Sequence, residues 1–191
     1  MSASAQTGPL THKRILLGVT GSIAAYKAAE LASGLTQAGA RVDVVMTAEA
    51  QRFIGPLTFA ALTHRAVVTD LWAEEQPERP THIELADAAD LVLVAPATAH
   101  LLAQAALGLA PDALTAILLA TPAPVAMAPA MNGKMWLHPA TQANADTLRS
   151  RGVEIWGPDE GLLACGYEGI GRMLAVPELL ARVEGFFLNR T

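Results

Sequence analysis

The chain has 191 residues, 52% of them hydrophobic, a formal net charge of −5 and a single cysteine. That length allows one compact domain with a sizeable core. Nucleic-acid binding is disfavoured by the lack of any basic cluster beyond residues 12–14, and no uncharged apolar run reaches the roughly 18 to 20 residues that span a bilayer.

The longest apolar candidate, 112–133, is broken by Pro122, Pro124 and Pro129. One cysteine cannot form an internal disulfide, which fits a reducing cytoplasm. The five histidines and the cysteine show no CxxC or HExxH pairing, so no metal site is expected. Residues 1–12 lack the apolar segment of a signal peptide. They are expected to form a disordered lead to one domain over 13–191.

In chain order, 14–20 (RILLGVT) reads as a short buried strand ending in Gly21-Ser22. Apolar residues at helical spacing follow up to a stop at Gly39, and 41–47 (RVDVVMT) reads as a second strand. This βαβ unit argues for a parallel sheet with a right-handed crossover. Residues 47–63 read as helical pieces broken at Gly55-Pro56, 65–72 as a short strand and 73–80 as a loop. A short helix is expected over 82–90. The uninterrupted apolar run 91–97 (LVLVAPA) predicts a strand covered on both faces. Helices are expected at 98–108 and 112–121, a strand at 124–130, one helix bent near Pro139 over 133–152, and a strand at 153–158. A glycine-rich loop (GLLACGYEGIGRM, 161–173) and a closing helix over 177–190 complete the chain. The alternation predicts a single-domain, three-layer α/β fold around a parallel sheet, flavodoxin-like or Rossmann-like.

Ligands in such folds bind beyond the carboxyl ends of the strands, and four motifs fall there. In GVTGSIA (18–24), Gly21 and Ser22 open a helix, where backbone N–H groups and the helix dipole favour a phosphate. Ser22 has the alternative role of a simple helix cap. In THIEL (81–85), His82 is a candidate base at neutral pH, or a solvent-facing helix-start residue. In APAT (95–98), Thr98 opens another helix and suits a phosphate or the polar edge of a flat cofactor, or again a cap. In APAMNGKMW (128–136), Asn132 offers donors and an acceptor for a carboxylate, or caps the following helix. The lone thiol, Cys165, stands among glycines able to adopt left-handed turns.

Taken together, GSIA, VMT, HIEL, APAT, PAMNGKMW and LACGYEGIGRM resemble the flavin-containing cysteine decarboxylase family, from about residue 13 to about residue 180. The resemblance implies a flavodoxin-like fold, FMN as cofactor, and assembly as a homotrimer or as a dodecamer of trimers. It implies FMN contacts from Gly21, Ser22, Ile23, Thr47, Thr98, Ala99 and Ala130. By the same resemblance His82 is the catalytic base, Asn132 binds the substrate carboxylate, Leu163 and Ala164 belong to a loop closing over the substrate, and Cys165 donates a proton. After Ala99 the stretch departs from the family pattern at His100 and Leu101, and Tyr167 stands where an acidic residue is common.

The activity implied is FMN-dependent decarboxylation of 4'-phosphopantothenoylcysteine to 4'-phosphopantetheine in coenzyme A biosynthesis. It would proceed by transient oxidation to a thioaldehyde, CO₂ loss and re-reduction, with a separate phosphopantothenate-cysteine ligase as a possible partner. The intact Cys165 favours this over the alternative, a peptidyl-cysteine decarboxylase releasing an enethiol. A flavin prenyltransferase should lack the Asn132 and Cys165 motifs. A non-catalytic FMN-binding regulatory protein usually loses one of His82, Asn132 and Cys165, all present here.

Overall fold

The computed structural model describes residues 8–73, 81–162, 164, 166 and 168–190. Six parallel strands form the central sheet: β1 (Arg14–Val19), β2 (Arg41–Met46), β3 (Val67–Val68), β4 (Leu91–Ala97), β5 (Val125–Pro129) and β6 (Glu154–Ile155). Their spatial order is β3-β2-β1-β4-β5-β6. The chain winds outward from β1 to β3, returns to β4 on the other side of β1, and winds outward again. β1 and β4 are therefore neighbours from which the two halves diverge, and a crevice opens beyond their carboxyl ends.

The strands are apolar on both faces because both faces are covered. Ile15, Leu17 and Val19 of β1, with Leu91, Leu93 and Ala95 of β4, pack into one core with α1 (Ala25–Gln37), α2 (Pro56–Thr63) and α8 (Val176–Leu188). Leu16, Val92, Val94 and Met127 point into the other core. There they meet α3 (Thr81–Ala88), α4 (Ala99–Leu107), α5 (Ala113–Ala120) and α7 (Pro139–Ser150). This is the three-layer, flavodoxin-like arrangement expected from the unbroken apolar runs.

Several boundaries differ from the sequence expectation, each for a local reason. Residues 8–12 are not a disordered lead: Leu10 is fully buried in the first core, and Lys13 N–H donates to the Leu10 carbonyl at 3.0 Å. The expected lead over 1–7 and the loop residues 74–80 lie outside the described residues. Residues 133–152 form two helices rather than one bent helix. These are α6 (Gly133–Trp136) and α7, and His138 separates them because its Nδ1 accepts the Ala140 N–H at 3.2 Å as the cap of α7.

The glycine-rich stretch is not simply a loop. β7 (Asp159–Leu162) and β8 (Glu168–Arg172) pair antiparallel as a hairpin separate from the main sheet. It was hidden in the sequence because glycine weakens strand patterning.

Candidate functional site

A cavity of about 900 Å³ opens at the carboxyl ends of β1, β2, β4 and β5, within the size range of ligand pockets. Its lining includes Gly21, Ser22, Ile23, Thr47, Thr98, Ala99, Ala130, Asn132 and Ala164, so the structure gathers nine of the twelve candidate residues. Leu163 and Cys165, like Tyr167, lie outside the described residues.

His82 is not among the lining residues. It is the second residue of α3, whose Leu85 and Ala86 pack into the second core. That helix descends into the start of β4, which leaves His82 near the carboxyl edge of the sheet but outside the cavity of its own chain.

The loop after β1 is built differently from the expectation. The first helix begins at Ala25, not at Gly21-Ser22, and its cap Ala24 has no side-chain hydrogen bond. Ser22 instead belongs to the preceding turn: its N–H donates to the Thr20 carbonyl at 2.8 Å and its Oγ accepts the Ala24 N–H at 3.2 Å. Gly21 is required by closeness. A Cβ there would run into Glu49 Cβ, so the loops after β1 and β2 can meet only because the side chain is absent.

Thr98 does cap α4, its Oγ1 accepting the Leu101 N–H at 3.2 Å. Asn132 caps α6, its Oδ1 accepting the Lys134 N–H at 2.8 Å. Capping and cavity lining are therefore compatible at both residues. Thr47 is buried, and its Oγ1 accepts the Ala50 N–H at 3.3 Å.

Sequence reasoning passed over Thr20. Only 2% exposed, it donates its hydroxyl to the Pro96 carbonyl at 2.7 Å and accepts the Thr98 N–H at 3.2 Å. One side chain thus joins the ends of β1 and β4 at the point where the windings diverge. The signal was present in GVTGSIA as a second hydroxyl, two residues before Ser22. Lys27, Glu49, Asp112 and Arg172 also line the cavity, and none of them was selected from sequence. Asp112 caps α5 in a reciprocal capping box with Thr115.

The donor set suits a phosphorylated, flat ligand. Hydroxyls at Thr20, Ser22, Thr47 and Thr98 and the starts of two helices supply polar partners. Ile23, Leu101, Ala130, Met131 and Met135 supply apolar wall. FMN, expected from the resemblance, has both chemistries, and these residues fit it.

The hairpin closes one side of the cavity through Leu162, Gly171 and Arg172. Its docking depends on two glycines. The Met131 N–H donates to the Gly171 carbonyl at 2.9 Å. A Cβ on Gly133 would stand 2.5 Å from the Ile170 carbonyl oxygen, and one on Gly171 would run into the Met131 carbonyl oxygen. PAMNGKMW and GIGRM are thus two sides of one contact. On the hairpin itself, Arg172 Nη2 lies 2.6 Å from Asp159 Oδ2. The Arg172 hydrogen bond, then that of the Glu160 N–H, hold the Asp159 carboxyl below its usual range.

A crevice at the divergence point of a parallel sheet, walled by helix starts and hydroxyls, defines a flavodoxin-like protein that binds a phosphorylated cofactor. The particular family follows from comparison: the chain belongs to the Flavoprotein family, whose profile matches residues 3–188. It is 52% identical over 178 residues to the coenzyme A biosynthesis bifunctional protein CoaBC of Vibrio vulnificus strain YJ016, covering 93% of this chain and 44% of that protein. With the protein of the same name from Bacillus subtilis strain 168 it shares 47% identity over 182 residues, 95% of this chain and 45% of the relative. The chain therefore spans less than half the length of these curated relatives.

Among solved structures, it resembles a PPC decarboxylase mutant complexed with pantothenoylaminoethenethiol. The TM-score is 0.84 at 31% identity, covering 92% of this chain and 98% of that one. It also resembles the FMN-dependent cysteine decarboxylase SpaF, with a TM-score of 0.80 at 34% identity over 94% and 98%.

Proposed function

We propose that this chain binds FMN and decarboxylates 4'-phosphopantothenoylcysteine to 4'-phosphopantetheine, a step of coenzyme A biosynthesis in the cytoplasm. The observation that carries the reading is the single cavity on which GSIA, APAT and PAMN converge. Likeness to a PPC decarboxylase over 98% of that chain and to bifunctional coenzyme A biosynthesis proteins supports it. The part of those bifunctional relatives that this chain does not match is the natural source of a ligase partner.

Direct loss of CO₂ from a cysteine carboxylate is poor chemistry because the electron pair left on the α-carbon has no adjacent sink. Bound FMN supplies a hydride acceptor and later a hydride donor, which makes a transient thioaldehyde available as an electron sink. In this reading an imidazole nitrogen of His82 takes the thiol proton. The amide of Asn132, turned by the bond between its Oδ1 and the Lys134 N–H, meets the substrate carboxylate. When CO₂ leaves, the carbon–carbon bonding pair passes toward the thioaldehyde and leaves an enethiol. Return of the hydride must be matched by one proton, which the Cys165 thiol provides. Leu163 and Ala164 directly precede that thiol in sequence and would cover the substrate.

His82 lies outside its own chain's cavity, so a second copy would supply it, which favours the homotrimer, alone or four to a dodecamer. Exposed apolar side chains lining the cavity, Ile23, Tyr26 and Met135, support such contacts. The second reading is a decarboxylase of peptidyl cysteine, and likeness to SpaF, an FMN-dependent cysteine decarboxylase, is compatible with it.

The test is to purify the protein, record its flavin spectrum and incubate it with phosphopantothenoylcysteine. Loss of CO₂ alone, read by mass spectrometry, supports the proposal. Loss of CO₂ together with two hydrogens points to the enethiol-releasing alternative, and no loss of CO₂ sinks both.

A further inference from the structure

We infer that Arg172 is a positioning residue that sets Asn132 through the backbone of Gly171; the assignment of Asn132 to the substrate carboxylate rests on the function proposed above. The hairpin register jumps between Asp159↔Arg172 and Glu160↔Ile170, which leaves Gly171 as an extra, unpaired residue. This is a β-bulge, a device that re-aims a strand. Gly171 sits at φ +134°, where glycine moves at little cost. Nothing intrinsic to Gly171 therefore fixes the direction of its carbonyl.

That carbonyl belongs to the peptide shared with Arg172, and it accepts the Met131 N–H at 2.9 Å, one residue before Asn132. Arg172 is held at its far end. Its Nη2 lies 2.6 Å from Asp159 Oδ2, while Asp159 Oδ1 accepts the Glu160 N–H at 2.8 Å. The guanidinium lies close against Gly161, where a Cβ would stand 2.8 Å from Arg172 Cζ and Nη1.

The side chain is thus clamped between a carboxylate oriented by its own backbone and a surface that only glycine leaves open. Fixing both ends of Arg172 fixes the peptide between them, and through the Met131 N–H it fixes the turn that carries Asn132. A small displacement of such a group is enough to impair substrate alignment.

The test has an arm that needs no substrate. In the FMN-loaded protein, hydrogen exchange at the Met131 amide should speed up at least about fivefold in Arg172→Ala and in Asp159→Asn, while amides of β1 and β4 keep their protection. Unchanged Met131 exchange overturns the proposal. The second arm compares the carboxylate-bearing substrate with its decarboxylated product as ligands of the holoenzyme. Arg172→Ala should weaken the substrate several-fold and the product little, and this difference should vanish in an Asn132→Ala background. Equal weakening of both ligands, or effects that add independently of Asn132, would mean that Arg172 merely walls the cavity, and the proposal fails. If wild type neither binds nor decarboxylates the substrate while Met131 exchange responds as expected, the substrate reading falls and the backbone linkage stands.

Discussion

Two side chains absent from the sequence-derived set hold the ends of the sheet together. Thr20 bridges the Pro96 carbonyl and the Thr98 N–H. Thr20→Val keeps the shape and removes both bonds, stranding buried polar groups at a cost of about 1–3 kcal/mol each. We expect a lower urea midpoint and weaker FMN binding by fluorescence titration, with both largely restored in Thr20→Ser. Asp43 is the other. Inside an apolar strand it faces Arg14 Nε at 2.7 Å and Arg65 Nε at 2.5 Å, so that one carboxylate links β1, β2 and the approach to β3. Asp43→Ala leaves two partly buried guanidinium groups uncompensated, and chemical denaturation should read a loss of about 3 kcal/mol. The sequence displayed these residues but not their partners. Thr20 and Pro96 are 76 positions apart, and nothing in RVDVVM says which arginines its aspartate will meet.

The sheet and most helices were legible as elements because the apolar runs are long and their spacing is clear; 91–97 matches β4 residue for residue. The hairpin was not legible. Its glycines read as freedom to turn, whereas Gly171, with Gly133 of α6, serves close approach between distant segments. Gly133→Ala should therefore lower the melting temperature and weaken substrate binding together, because the Ile170 carbonyl cannot recede without undocking the hairpin. Acid sensitivity of this element follows from Asp159. Its folded carboxyl titrates below the ordinary 3.8, chiefly because of Arg172, then the Glu160 N–H, with Lys27 assisting. A depressed carboxyl stabilises the fold above its unfolded pKa and loses that contribution only as pH falls through its folded value. Protection of the Met131 amide should thus hold from neutral pH down to about 5 and decline only below the usual carboxylate range.

For the whole molecule, the placement of His82 decides what a functional unit is. The motifs supplied Asn132 and His82 as candidates, yet one chain brings Asn132 and not His82 to its cavity, a separation invisible to sequence order. We expect His82→Asn and Asn132→Ala proteins each to be inactive alone and to regain part of the activity after unfolding and refolding together, read as CO₂ release. Recovery no greater than the sum of the two separate preparations would argue that each chain works by itself. Cys165→Ser should still release CO₂ but accumulate the product lacking two hydrogens, read by mass spectrometry. No described helix is long and apolar enough to cross a membrane.

The paired glycines at 133 and 171 also bear on redesign. Because each accommodates the backbone of the other's segment, the turn and the hairpin are exchangeable between relatives only as a matched cassette. A chimera that imports a new hairpin to change substrate preference, while keeping the resident turn, would inherit mismatched surfaces even if every side chain lining the cavity were copied faithfully.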